Sequence, residues 1–177
     1  MADEAQIAEL TQKMTAERDK LLSALESLGE EDASRSPKEG EWTSKQQMSH
    51  LCEMETAYRA WVERALEEDG ANVDSVRGER AAISLEEAGD YTVSEHTSEM
   101  RRQREKTMAL IASLRPEDFE RRATNALFGS LTVMQWLRSY YRHDRMHVDQ
   151  IGGQEPSYKP QFAGGVEPDQ RHGSRTR

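Results

Sequence analysis

Apolar residues recur at spacings of three, four and seven along four stretches of the chain, which is the pattern of amphipathic helices. In the first stretch the apolar positions are Ile7, Leu10, Met14, Leu21, Leu25 and Leu28. The spacing predicts four long helices, at about Asp3 to Leu28, Thr43 to Glu68, Val93 to Leu114 and Val133 to Ile151. Without a strong strand signal, the pattern favours an all-α protein, an antiparallel four-helix bundle.

Capping residues support three of these helix starts. Each start has a threonine followed three residues later by Gln or Glu, the pattern of a capping box. The pairs are Thr43 with Gln46, Thr92 with Glu95, and Thr132 with Gln135. Gly29, Pro116 and Gly152 are suited to ending the helices that precede them.

The segments between the helices differ in length and character. A polar loop with Pro37 and Gly40 follows the first helix. The pattern weakens from Asp69 to Tyr91, which predicts a long connection with a short helical turn around Ser84 to Ala88. Residues Asn125 to Leu131 allow a short strand pair. We therefore predict one bundle domain over residues 1–153 and a C-terminal extension over 154–177 whose end is disordered.

Charge narrows the classes of partner. The formal net charge is -9 and the sequence pI is near 5.1, which argues against nucleic acid and anionic membranes as partners. No apolar run approaches the roughly 20 residues that span a bilayer. The acidic N-terminus lacks the features of a signal peptide, and Cys52 is the single cysteine. We expect a cytoplasmic protein, and we interpret Cys52 as a packing residue.

Two histidines stand on the apolar stripe of the fourth helix. His143 and His147 lie between Tyr140 and Ile151, and their i,i+4 spacing puts the two Cβ atoms about 5–6 Å apart. Two imidazoles in that arrangement can converge on one metal ion. His50, close to the inward face of the second helix, is the third candidate ligand.

Other interpretations of these residues remain open. His147 could interact with the dipole at the helix C-terminus, and His143 could be a core residue hydrogen-bonded to a carbonyl or to Tyr58. Cys52 is an alternative ligand, but it lies about 200° around the helix from His50, so one site does not readily use both. Three further residues are predicted to be solvated. They are His96, Asp144 and Asp149.

At these positions the sequence resembles a known family. The stretch EWTSKQQMSHLCEME is similar to the tryptophan-led helix start and single histidine of the DinB/YfiT-like metal-binding proteins. The stretch LTVMQWLRSYYRHDRMHVDQI is similar to their C-terminal His-x-x-x-His helix. The resemblance extends from about residue 5 to 153. The connection from Asp69 to Tyr91 and the tail after Gly153 have no recognised counterpart in it.

The resemblance implies a bundle with a rearranged helix order and a divalent metal ion, zinc, nickel or iron, held by His50, His143 and His147. It also implies a homodimer. Three imidazoles leave a coordination position open, which suits a metal-dependent enzyme that activates a water or a thiol. The resemblance implies a small-molecule substrate, and it favours a transferase that uses a low-molecular-weight thiol such as bacillithiol or mycothiol, or a hydrolase. The alternative is a non-catalytic, stress-related protein whose metal stabilises the bundle. Possible pocket-lining residues are Met54, Trp136 and Tyr140, and no catalytic residue is assigned.

Overall fold

The computed structural model describes residues 2–37 and 39–163 of the chain. Its helices are α1 (Glu4–Glu26), a one-turn α2 (Glu30–Ala33), α3 (Ser44–Glu67), α4 (Val93–Ser113) and α5 (Val133–Ile151). The four long helices match the predicted ones to within a few residues, and α2 is the only helix in the described part of the predicted polar loop. The predicted disorder concerns the end of the chain, which lies beyond residue 163 and so outside the described residues.

Side chains cap the N-terminus of each of the four long helices. The threonine-led capping boxes predicted from the sequence form at α3, α4 and α5. A fourth capping box, not predicted from the sequence, pairs Asp3 with Gln6 at the start of α1. Because each box satisfies backbone donors that the helix leaves unpaired, the helix starts are set locally by sequence.

The order of the helices around the bundle differs from their order in the chain. Helix α1 packs against α5 and α4, while α3 packs against α4 and α5, so α1 and α3 lie across the diagonal. Contacts such as Gln47 with His147 and Glu55 with Tyr140 make α3 and α5 antiparallel. Helices α3 and α4 instead run in the same direction. Their first turns meet at Glu30, which contacts Lys45 of α3 and accepts from the N–H of Val93 of α4, while Glu55 bonds Arg104 further along both helices.

A parallel α3–α4 pair requires the chain to return along the bundle between them, and the long 69–91 connection provides this crossover. The carbonyl of Val76 accepts a hydrogen bond from Trp61 Nε1 at 3.2 Å, near the end of α3. Gly78 lies directly against the backbone of Thr56, further back along the helix. The crossover ends in a 3₁₀ helix, Ala88–Asp90, close to the predicted helical turn.

A small sheet covers one end of the bundle. Strands β2 (Arg122–Asn125) and β3 (Gly129–Thr132) are antiparallel, which confirms the short strand pair. The crossover adds β1 (Ala71–Asn72), parallel to β2. A 3₁₀ helix, Pro116–Glu120, leads from α4 to β2.

Two apolar clusters form the core, one toward each end of the bundle. The cluster at the sheet end contains the buried aromatic side chains of Tyr58, Trp61, Phe119, Trp136, Tyr140 and Tyr141. The opposite end is aliphatic and contains Cys52, which is 2% exposed and packs as predicted. Burial raises the pKa of its thiol. Within residues 2–37 and 39–163, no helix combines the length and apolar character that crossing a bilayer requires.

Candidate metal centre

Three histidines converge between α3 and α5. Because these helices are antiparallel, His50 on the first part of α3 meets His143 and His147 on the last part of α5. One ring nitrogen from each lies within 4.8 Å of the other two. The Nε2 atoms of His143 and His147 are 3.1 Å apart. Metal–nitrogen bonds of about 2.0–2.1 Å place tetrahedral ligand atoms about 3.3 Å apart, so the three imidazoles fit a metal ion after small adjustments.

Gln47 orients one of these imidazoles. The Nδ1–H of His147 donates to Oε1 of Gln47 across 2.9 Å, and this leaves Nε2 with its lone pair toward the other histidines. Hydrogen bonds of this kind fix the tautomer and raise the basicity of a ligand. Gln47 is three residues before His50, so both lie on one face of α3. That spacing is the signal by which the sequence could have revealed it.

Burial keeps the three rings neutral. It lowers the pKa of His50 to about 3, with a further contribution from the nearby His143. Burial and then the charge of Arg18 lower the pKa of His143 to about 4. The pKa of His147 is lowered well below its usual value by burial and by the other two rings. At neutral pH the group therefore offers unprotonated nitrogens, the form that binds metals.

A buried ring of four charges joins the helices close to the histidines. Each long helix supplies one residue: Arg18, Glu55, Arg104 and Asp144. Arg18 contacts the carboxylates of Glu55 at 2.6 Å and Asp144 at 3.0 Å, and Arg104 contacts them at 2.8 and 2.9 Å. The two positive and two negative charges compensate one another, which is the condition for burying ions at tolerable cost.

Two of the three predictions of solvated side chains are wrong. Asp144 is 1% exposed because Arg18 and Arg104 draw it into the charge ring. His96 is 1% exposed, because the end of the crossover covers it and the carbonyl of Ala88 lies 2.9 Å from its Nε2. Asp149 is half-buried and accepts hydrogen bonds from Ser157.

A cavity of about 500 Å³ opens beside the histidines, and His143 is part of its wall. This volume is within the range of small-molecule sites. The apolar and aromatic side chains on the wall include those of Met54, Tyr58, Phe128, Leu131, Met146 and Phe162. Residues Tyr158 to Phe162, from the predicted C-terminal extension, form one side of it.

The three residues predicted to line a pocket occupy different places. Met54 lines the cavity. Trp136 and Tyr140 instead lie in the core: Trp136 packs against the rings of Trp61 and Phe128, and the Tyr140 hydroxyl donates to the carbonyl of Glu55. Both rings contact that of Tyr58, which lines the cavity and lies 6.4 Å from the His143 ring.

Fold and site together define a class of protein, a rearranged four-helix bundle with three histidines gathered between its second and fourth long helices. The family model of the DinB superfamily matches residues 13–151, and the chain belongs to this superfamily. This confirms the family resemblance drawn from the two histidine motifs and the bundle predicted with it.

Individual relatives agree with this assignment. The chain is 32% identical to the protein YuaE of Bacillus subtilis (strain 168) over 141 residues, which cover 72% of this chain and 85% of YuaE. Its fold is similar to that of YfiT from Bacillus subtilis, described as a probable metal-dependent hydrolase with an unusual four-helix bundle topology. The TM-score is 0.70 at 19% identity, over 86% of this chain and 87% of YfiT. TT2238, a four-helix bundle protein, matches with a TM-score of 0.61 at 22% identity, over 84% and 99% of the two chains.

Proposed function

We propose that this protein is a metal-dependent enzyme in which His50, His143 and His147 hold a divalent ion, and that it acts as a thiol-dependent transferase or a hydrolase. The main support for the proposal is that His143 takes part in two features of the structure. Its ring belongs to the histidine cluster and also to the wall of the 500 Å³ cavity. A small molecule in the cavity would therefore reach the metal site directly.

A divalent ion bound there would act as a Lewis acid, able to lower the pKa of a water or thiol ligand. The chain's own residues supply the setting for this chemistry. Apolar side chains line part of the cavity, so a bound molecule that displaces water there would experience stronger electrostatic interactions. Burial raises the pKa of the Tyr58 hydroxyl, so this phenol keeps its proton at neutral pH and can donate a hydrogen bond. Its ring centroid lies 6.4 Å from that of His143.

A second function, stabilisation of the bundle by a non-catalytic metal, is favoured by the burial of two of the three histidines. His50 is 8% exposed and His147 is 3% exposed. An ion held by them would link α3 to α5, and a metal that binds only the folded chain stabilises it. The two functions differ in whether the ion exchanges with solvent and accepts a small ligand.

The deciding experiment is metal analysis by inductively coupled plasma mass spectrometry on untagged protein and on the variants His143→Ala and His147→Ala. We expect about one ion per chain, lost in both variants. His96→Gln is the matched control, since His96 is buried but outside the cluster. No metal after incubation with zinc, nickel or iron would reject both functions.

Exchange of the metal ion distinguishes an enzyme from a protein whose metal only stabilises the bundle. An enzyme should release its metal to a chelator without unfolding, as judged by circular dichroism, and should rebind it. Unfolding on metal removal would favour the stabilising role.

The cytoplasmic location and the homodimer remain predictions. Gel filtration with light scattering tests the dimer.

A further inference from the structure

Among the residues that the structure describes, the wall of the cavity carries two cations and no carboxylate, although the chain contains 33 acidic and 24 basic residues. The cations are Arg142, on α5, and Lys159, in the C-terminal extension. A positively charged wall in an acidic protein raises the local concentration of anions and discriminates against cations.

Arg142 has no carboxylate partner among the residues that the structure describes. Its guanidinium carbon lies 5.6 Å from the ring centroid of Tyr158 and 5.9 Å from that of Tyr141. In contrast, Arg145, on the same helix, bonds Glu17 at 2.8 Å. Aromatic rings hold a guanidinium in place without neutralising it, so Arg142 keeps its charge and its hydrogen-bond donors for another group.

Lys159 is brought to the cavity by the C-terminal strap, defined here as Ser157–Ala163. The strap is fastened at its start, where the backbone N–H and the hydroxyl of Ser157 each donate to Asp149 at 2.7 Å. At its other end the N–H of Ala163 donates to the carbonyl of Leu127 at 2.8 Å. Within the described part of the chain, the Lys159 ammonium pairs with the carboxylate of Glu155, which is 3.9 Å away and largely exposed to solvent.

The strap also completes the apolar part of the wall. The rings of Phe162 and Phe128 have centroids 5.4 Å apart, which connects the strap to the turn between β2 and β3. The match to the DinB superfamily ends at residue 151, before the strap begins. This chain therefore builds one side of its cavity from residues outside the matched region.

We propose that the cavity binds a small organic anion, a carboxylate or a phosphate with an apolar body, as its substrate. Arg142 and Lys159 bind the anionic group, and Phe128 and Phe162 pack against the apolar body. The inference rests on the proposed function, because it places the substrate beside His143. It adds the substrate class and the residues that select it.

Isothermal titration of the full-length, untagged protein tests this with three probes: phenylbutyrate, phenyl phosphate and the neutral phenylbutanol. At least one anion should bind about tenfold more tightly than phenylbutanol, and the two anions distinguish carboxylate from phosphate recognition. Arg142→Gln should weaken that anion about tenfold and Lys159→Gln about threefold. Phe162→Ala should weaken the anion and phenylbutanol alike.

Arg138→Gln is the matched control, since Arg138 lies one turn before Arg142 on α5 but not on the cavity wall. It removes the same charge and should change affinity by less than about twofold. Equal binding of anions and alcohol, no binding of any probe at millimolar concentration, or equal effects of Arg142→Gln and Arg138→Gln would each overturn the inference.

Titrations are repeated on metal-stripped protein, because a carboxylate could also bind a metal. Dependence on Arg142 should persist without metal. The inference would be rejected if anion binding disappeared on metal removal and the Arg142→Gln variant bound the anion as tightly as the wild type. The anion would then bind at the histidines. Metal content measured on the same samples keeps the two proposals separate. Metal without anion selectivity overturns only the substrate class, whereas absence of metal overturns the proposed function.

Discussion

Oε1 of Gln47 lies 2.9 Å from Nδ1 of His147, although the two residues are 100 positions apart in the chain. Antiparallel packing of α3 and α5 creates this contact. One turn further along α3, His50 faces the same cluster. A single helix face therefore contributes one candidate ligand and the group that orients another.

Replacing Gln47 should weaken metal binding without unfolding the protein. In Gln47→Leu the His147 ring loses its acceptor, so its tautomer and orientation are no longer set. We expect a loss of about 10–100-fold in zinc affinity, measured by competition with a chelating dye. Gln47→Glu keeps an acceptor oxygen and should retain most of the affinity. Equal affinity of Gln47→Leu and the wild type would show that Gln47 has no part in the site.

The four-charge ring predicts a large cost for removing one charge. Glu55→Gln leaves Arg18 and Arg104 with a single buried carboxylate, that of Asp144. We expect the free energy of unfolding to fall by about 3–5 kcal/mol, measured by urea denaturation. Glu53→Gln, two residues away on an exposed position, should change it by less than about 0.5 kcal/mol. Similar losses in both variants would contradict a special role for the ring.

Much of the fold and of the histidine cluster could be predicted from local signals. Apolar spacing gave the four long helices, and threonine-led capping boxes gave the starts of three of them. His143 and His147 were recognisable because they continue an apolar stripe where a polar residue is unexpected. The rearranged helix order came only from the family resemblance, since periodicity does not determine which helices become neighbours.

The charge ring could not be predicted in the same way. Arg18 and Asp144 are 126 positions apart, and each by itself has the appearance of a solvated residue on a helix. Periodicity identifies core positions by their apolar side chains, so a buried charge is assigned to the surface until its partner is known. His96 was misplaced for a related reason. The residues that bury it belong to the crossover, where the sequence pattern is weak.

Acid should destabilise the metal-free protein through its histidines. The pKa of His50 is lowered to about 3, that of His143 to about 4, and that of His147 well below its usual value, in each case chiefly by burial. In the unfolded chain each titrates near about 6.5. The unfolded state therefore binds more protons below that pH, and the stability present above it is lost as the pH falls toward 4.

Between about pH 7 and about pH 5.5 the three rings together should reduce the free energy of unfolding by about 3–4 kcal/mol. Urea denaturation of metal-stripped protein at several pH values measures this. His143→Ala should remove about a third of the pH dependence. His96, whose pKa burial also lowers, contributes in the same direction but is unchanged in that variant. An identical pH dependence in wild type and variant would mean that His143 is already solvated.

The crossover predicts a contrast between two glycines. A Cβ atom on Gly78 would overlap the backbone carbonyl group of Thr56, whereas one on Gly89 would meet nothing within 4 Å. Gly78→Ala must push the crossover away from α3, and we expect a loss of about 1–3 kcal/mol in the free energy of unfolding. Gly89→Ala should be neutral or stabilise by up to about 1 kcal/mol, because it restricts the unfolded chain. Urea denaturation of both variants checks this, and equal stabilities would show that the crossover does not pack against α3 as described.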